Sequence, residues 1–490
     1  MLFNSYIFIF LFLPLALIGY YVLNRLGRNM YAKVFLLVMS LWFYGYFNYT
    51  YLAVIISSIA VNYTVVYLMR RYPGRKKFCL AAGLVFDIGM LFYFKYFDFF
   101  LTNVNAVFNL SFTMRNIVLP LGISFFTFQQ ISYVVDAYHG ETDDESFLDY
   151  AVFVTFFPQL IAGPIVTHDE LIPQIKDESR QRPDYGNLSK GLMIFAAGMF
   201  KKVIIADTFG GIVDWGFEDI AAMSSIDAFL VMFSYTMQIY FDFSAYSDMA
   251  IGIGRMFNFE LPANFNSPYK SYSIIEFWRR WHMTLTRFLT KYIYFPLGGS
   301  RKGNIRTYVN IMIVFLVSGL WHGAAWTFVI WGALHGAAQC VNRAFKTQYE
   351  RLHKAFQWVL TFGFINVTWI IFRASSISDV KLFINRLLRG GMSISLEIGG
   401  AFGLKELNLF EDMLHISQYT DKIKGFNMLL FFAVTFFAVL NCRNVQEQEH
   451  KLSIFNAVIT VVALVWCICS LSGVATVSYT HLRAHETPEH

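Results

Sequence analysis

Charge is scarce in this sequence: only 15% of its 490 residues are Asp, Glu, Lys or Arg, against roughly 25% in ordinary soluble domains. So thin a supply cannot cover a water-facing surface of this size, which excludes a soluble globular protein. Cysteine is scarce too. Cys79, Cys340, Cys442, Cys467 and Cys469 form no C-x-x-C pair and mostly sit in or beside apolar runs; the thiols are expected to pack as small apolar groups, with no redox or metal role. No internal repeat is visible, so the inverted-repeat logic of many secondary transporters finds no support. The first apolar run, Tyr6 to Leu23, has no basic residue before it and no small-residue cleavage pattern after it. It is expected to be a retained first span, not a signal peptide.

What the chain has in quantity is apolar and aromatic side chains: 56% hydrophobic, 19% aromatic, 53 Phe. Runs of the roughly 20 residues needed to cross a bilayer as helix recur along the whole length. The expected fold class is an all-α polytopic membrane protein with roughly a dozen membrane segments. The net charge of +6 is not a nucleic-acid signal, and no nucleic-acid partner is expected; Lys and Arg gather in short loops, "NRLGRNMYAK" (24–33) and "MRRYPGRKK" (69–77). Such loops are expected on the cytoplasmic side, which puts the N-terminus outside.

Further spans are expected near 34–48, 50–68, 78–100, 117–138, 191–213, 227–241, 307–321, 324–340, 355–372, 426–441 and 453–472. Between them lies an acidic loop, "HGETDDESFLD" (139–149), and then "FFPQLIAGPI" (156–165), where two prolines and a glycine interrupt an apolar run. A broken run at membrane depth is tolerated only where the backbone is buried in protein or faces water, so a re-entrant element is expected there.

Polar residues concentrate at the centre. Residues 238–302 mix Asp242, Asp248, Arg255, Glu276, Arg279, Arg280, His282 and Arg287 with Phe, Trp and Tyr. An ionisable group in a membrane segment costs from about 2.5 kcal/mol upward, so such groups mark a polar cavity or a partner. The competing reading is an interfacial helix whose arginines snorkel to the surface. Two histidines each follow a tryptophan: Trp281-His282, and Trp321-His322 in the otherwise lipid-soluble "SGLWHGAAW" (318–326). A neutral imidazole away from bulk water can take the proton of a hydroxyl that attacks an acyl carbonyl, although a lone histidine on an apolar helix is more often a packing residue.

At "LPLGISFFTFQQISYVVDAY" (119–138), "FFPQLIAGPI" (156–165), "GLMIFAAGMFKKVIIAD" (191–207), "YFDFSAYSDMAIGIGRMFNFELPANFNSPY" (240–269), "FWRRWHMTLTRFLTKYIYFPLGGSRKG" (277–303) and "SGLWHGAAWTFVIWGALHG" (318–336), the sequence resembles the membrane-bound O-acyltransferase family, in its alginate O-acetyltransferase-like branch. The resemblance runs in family order to about residue 476. It implies re-entrant helices around a central funnel, with a multi-pass acyltransferase domain over 1–477 in the bacterial plasma (inner) membrane. The tail "SYTHLRAHETPEH" (478–490) departs from the apolar style of all that precedes it, and is read as non-native sequence; its His481, His485 and His490 have the wrong spacing for a metal site.

The same resemblance assigns catalysis to His322, as general base, and to His282. It also implies a cytoplasmic thioester donor, acetyl-CoA, with no bound cofactor. Arg279 and Arg280 are candidates for donor phosphates or carboxylates; as plain positive-inside charges they would need no such role. Asp242, Ser244, Trp281 and Trp321 are candidates for orienting the reactants. The resemblance further implies a polysaccharide acceptor and a separate extracytoplasmic esterase-like acetyltransferase partner, with no serine-histidine-aspartate arrangement expected in a soluble domain of this chain. Two other functions compete: D-alanyl transfer to teichoic acid, and transport of a polysaccharide precursor without covalent chemistry.

Overall fold

The computed structural model describes residues 1–400, 402 and 420–471; the tail 478–490 lies outside the described residues. Those residues are helical with no strand, as lipid demands of chains that must satisfy every backbone group internally. Among the described residues, seven helices are long and apolar enough to cross a membrane: Phe8–Arg25, Thr50–Arg71, Pro73–Phe108, Asn304–His322, Lys354–Arg373, Lys424–Asn441 and Ile454–Leu471. Five more long helices, Asn29–Gly45, Ile123–His139, Tyr185–Phe200, Ser225–Met256 and Trp326–Ala344, are more polar or slightly shorter. The first expected span, Tyr6 to Leu23, corresponds to Phe8–Arg25.

Burial sorts these helices. Ile454–Leu471 buries only 6% of its residues inside the protein and is a peripheral, lipid-facing helix. Ser225–Met256 is the opposite: Ser234 to Gly254 is buried without a break, so this helix is the central post. A capping box starts it, with the Ser224 hydroxyl accepting from the Asp227 amide and the Asp227 carboxylate accepting from the Ser224 amide, both at 3.1 Å.

The sequence suggested a span ending near 241, and the structure corrects this to Met256. Hydropathy counts Asp242 and Asp248 as costs. Each has a lysine partner on the neighbouring segment: Lys202 lies 2.7 Å from Asp242, and Lys201 lies 2.7 Å from Asp248. The region from 238 to 256 is therefore a buried helix held by ion pairs, not an interfacial one.

The acidic loop after Ile123–His139 is drawn onto the basic ends of other helices. Arg70 pairs with Asp144 at 2.8 Å and Glu145 at 3.1 Å, Lys33 with Asp149 at 2.6 Å, and Lys291 with both Asp136 and Glu141 at 3.0 Å.

The "FFPQLIAGPI" stretch forms one short helical turn, Phe157–Leu160, and then runs irregularly through buried positions. Its backbone is satisfied from elsewhere in the protein: the Ile165 amide donates to Thr284 Oγ1 at 3.0 Å, Arg287 donates to the Ile165 carbonyl at 3.2 Å, and Gln129 donates to the Val166 carbonyl at 3.3 Å. Irregular backbone survives here because protein side chains replace the missing helical bonds.

Candidate active site

His282 sits in a sharp turn between Ile274–Arg280 and Met283–Leu289. Its φ is +44°, a left-handed conformation that a side chain with a Cβ seldom adopts and that costs on the order of 1–3 kcal/mol. The turn is clamped by the loop before it: the Met283 amide donates to the Asn264 carbonyl, and the Asn266 amide to the Arg280 carbonyl, both at 2.9 Å. This geometry drives the imidazole inward, and His282 is fully buried.

The ring is also oriented. Its Nδ1 lies 3.0 Å from Asn264 Oδ1, which accepts from Thr284 Oγ1 at 3.0 Å. An amide oxygen cannot donate, so Nδ1 carries the hydrogen, and in the neutral ring Nε2 is the basic nitrogen.

His322 is the last residue of Asn304–His322, which ends where Gly323 turns extended. A helix leaves its final carbonyls without intrahelical donors. Here they are capped from another helix: Tyr96 OH donates to the Leu320 carbonyl at 2.7 Å, and the Lys95 ammonium donates to the Trp321 carbonyl. A cation at a helix C-terminus is also favoured by the helix dipole. Lys95 and Tyr96 belong to a π-helical turn, Phe92–Tyr96, a distortion that often accompanies functional sites. Sequence reasoning passed over both, although a lysine inside the apolar run "LFYFKYFDFF" was a usable signal.

The histidine helix packs closely against Trp326–Ala344 through facing glycines. A Cβ at Gly319 would stand 2.3 Å from the Phe328 carbonyl oxygen, and one at Gly332 would stand 2.4 Å from that of Phe315. Only hydrogen at both positions lets the two backbones approach so far.

These elements bring the two histidines together. Their ring centroids are 6.5 Å apart, and Trp321 borders both, 5.8 Å from His282 and 5.0 Å from His322. The enclosure is aromatic: Phe243 meets His282 edge-on at 4.7 Å, and Trp331 and Phe372 each lie 5.2 Å from His322. Trp281 is buried one residue away, against Trp369 at 5.0 Å and Phe277 at 5.5 Å.

The remaining candidates fall elsewhere. Asp242 pairs with Lys202, which also holds Asp207 at 2.9 Å. Ser244 is buried on the central helix, and its hydroxyl makes no hydrogen bond with the described residues. Arg279 is exposed. Arg280 is half-buried and committed to Glu276 at 3.0 Å and the Asn266 carbonyl at 3.3 Å.

A third buried histidine, His335, escaped notice in the sequence. Its Nδ1 accepts from Trp278 Nε1 at 3.1 Å, and its Nε2 lies 3.0 Å from Thr368 Oγ1. Indole only donates, so this ring is neutral with both nitrogens occupied, the signature of a packing histidine.

Comparison with known proteins identifies the family. A profile of the membrane-bound O-acyltransferase family matches residues 141–378, a stretch that contains both tryptophan-histidine pairs. The peptidoglycan O-acetyltransferase of Helicobacter pylori is 44% identical over 80% of this chain and 81% of its own length. The protein named probable alginate O-acetylase AlgI in Pseudomonas putida is 40% identical over 77% of this chain and 78% of its own. The teichoic acid D-alanyltransferase of Bacillus subtilis is more distant, 27% identical over 53% of this chain and 69% of its own. With that similarity spread over most of its length, the chain belongs to the membrane-bound O-acyltransferase family and is a multi-pass membrane enzyme of acyl transfer.

Proposed function

We propose that this protein passes an acetyl group from acetyl-CoA, supplied on the cytoplasmic side of a bacterial plasma membrane, towards the hydroxyls of an extracytoplasmic polysaccharide, peptidoglycan being the acceptor. The carrying observation is the buried pair His282 and His322, 6.5 Å apart within one aromatic enclosure. Relatives named for O-acetylation of peptidoglycan and of alginate, each matched over more than three quarters of both chains, support the acetyl group and the polymer. D-alanyl transfer rests on the weaker match. A transporter gives no reason for an imidazole pair shielded by Trp321, Trp331 and Phe372.

In this reading roughly a dozen segments, with "FFPQLIAGPI" re-entrant, surround a funnel, and the basic helix ends face the cytoplasm. The acceptor hydroxyl gives its proton to the His322 imidazole as its oxygen attacks the thioester carbonyl. The carbon–sulfur bond then breaks, and the thiolate takes that proton from the imidazolium as free CoA leaves. His282, with Nε2 as its basic nitrogen, polarises or positions the second reactant. Trp281 and Trp321 wall the site and exclude water, which strengthens every electrostatic interaction inside. Ser244 offers a buried hydroxyl, and Asp242 holds Lys202 in place. Arg279 and Arg280, nearer the surface, attract the donor's phosphates. The hydroxyl acetylated here is a first acceptor; an esterase-like partner outside the membrane then breaks that ester and forms a new one on a sugar hydroxyl, which returns the first hydroxyl free.

Membrane vesicles given acetyl-CoA labelled in the acetyl carbons test the donor. Label entering the polymer fraction only when this chain and its partner are present supports the reading. Label that stays in acetyl-CoA while acetylation proceeds from another thioester removes acetyl-CoA from it.

A further inference from the structure

Beside the candidate active site's supporting loop is a surface cavity of about 500 Å³, lined by Lys190, Arg255, His450, Lys451 and Leu452 together with Gln448 and Glu449. Three elements meet there: the second turn of Tyr185–Phe200, the last turn of Ser225–Met256, and the segment leading into Ile454–Leu471. Lys190 and Arg255 are half-buried, and neither forms an ion pair with a carboxylate of the described residues; Arg255 Nε reaches only the amide oxygen of Asn187, at 3.4 Å. Glu449 is taken up by Lys451 at 3.3 Å. The cavity is thus left with a net positive field, and the field registers on its own imidazole. Burial holds His450 below the usual histidine pKa, and the charges of Arg255 and Lys190 push the same way, against opposing contributions from the Val445 carbonyl and Asp248.

Two features select the ligand. The lining contains no Phe, Tyr or Trp on which a nucleotide base could stack, and its one imidazole, His450, is tied through Nε2 to the Val445 carbonyl at 2.9 Å. Its rim, in contrast, is apolar and open: Leu452 is 55% exposed, Ile454 86% and Phe455 71%, at the start of the helix that buries least in the protein. Cations at a helix entry to the bilayer, with a greasy helix face running away from them, match a phosphate headgroup with its acyl chains alongside.

We infer that this cavity binds the headgroup of an acidic phospholipid, with Lys190 and Arg255 as the phosphate ligands and the acyl chains lying on Ile454–Leu471. The site stands apart from the histidines and does not depend on the acetyl-transfer reading. Its rim is nonetheless tied to them: Gln446 donates to Asp248 at 2.9 Å, and Asn444 donates to the carbonyl of Phe265, next to the Asn264 that orients His282.

The test is native mass spectrometry of the purified full chain after exchange into phosphatidylcholine containing phosphatidylglycerol. The wild type is expected to retain phosphatidylglycerol in preference to phosphatidylcholine. Lys190→Gln and Arg255→Gln should each lower that retention about fivefold, whereas Lys190→Arg and the remote Lys346→Gln should leave it unchanged. Lys190→Gln alone alters only a half-buried surface residue, so it keeps the test open if the Arg255 variant misfolds. Equal retention of the two lipids by the wild type, retention unaffected by either glutamine variant, or displacement of phosphatidylglycerol by free inorganic phosphate would overturn the inference.

Discussion

Asn264 Oδ1 sits 3.0 Å from Nδ1 of His282 and thereby decides which nitrogen of that ring is available for chemistry. Asn264→Ala should free the ring to turn and to change tautomer. Acetyl transfer is expected to fall at least tenfold, with the protein still present in the membrane. A variant with wild-type activity would mean that the ring's orientation is held elsewhere or does not matter.

The caps on the histidine helix make a second prediction. Lys95→Met removes the ammonium from the Trp321 carbonyl and should lower both thermal stability in detergent and activity. Tyr96→Phe, which loses one hydrogen bond, should cost only about 0.5–1.5 kcal/mol of stability. If Lys95→Met leaves both quantities untouched, the cap has no part in holding His322.

Glycine contacts separate backbone approach from helix propensity. Gly319→Val puts carbon where the Phe328 carbonyl oxygen lies and should reduce the folded protein recovered from membranes. Gly363, on Lys354–Arg373, has nothing within 4 Å of its would-be Cβ. Gly363→Ala should be neutral or stabilising by about 0.5–1 kcal/mol. Equal tolerance at both positions would contradict the close packing of the two helices.

The buried pair of Lys202 and Asp242 predicts non-additivity. Lys202→Met strands the buried Asp242 carboxylate, with Asp207 beside it, at a cost of about 3–5 kcal/mol, whereas Asp242→Asn, which leaves Lys202 still paired with Asp207 at 2.9 Å, should cost less. The double variant should lose less than the sum. Simple additivity in chemical denaturation would show that the two side chains do not depend on each other.

Much of this architecture was legible in the sequence, because bilayer-length apolar runs are a local signal and the structure has a helix at each one. The two tryptophan-histidine pairs could be picked out because a titratable ring in an apolar run is costly. What could not be read were partners distant in the chain. Asn264 for His282, Lys95 for the end of the His322 helix, and Lys202 for Asp242 are pairings made only by folding. For the same reason the central helix was expected to stop near 241, where its carboxylates begin, and His335 passed unremarked although it is as deeply buried as His282.

The most direct test of acyl transfer at the paired histidines is the ester-linked acetate that mild alkali releases from the peptidoglycan of cells expressing His322→Ala, compared with wild type at matched membrane abundance. Loss of acetate by a factor of about 10²–10⁴, the usual contribution of a general base, is the predicted result. Undiminished acetate in the variant, or D-alanine as the group that disappears, would contradict it.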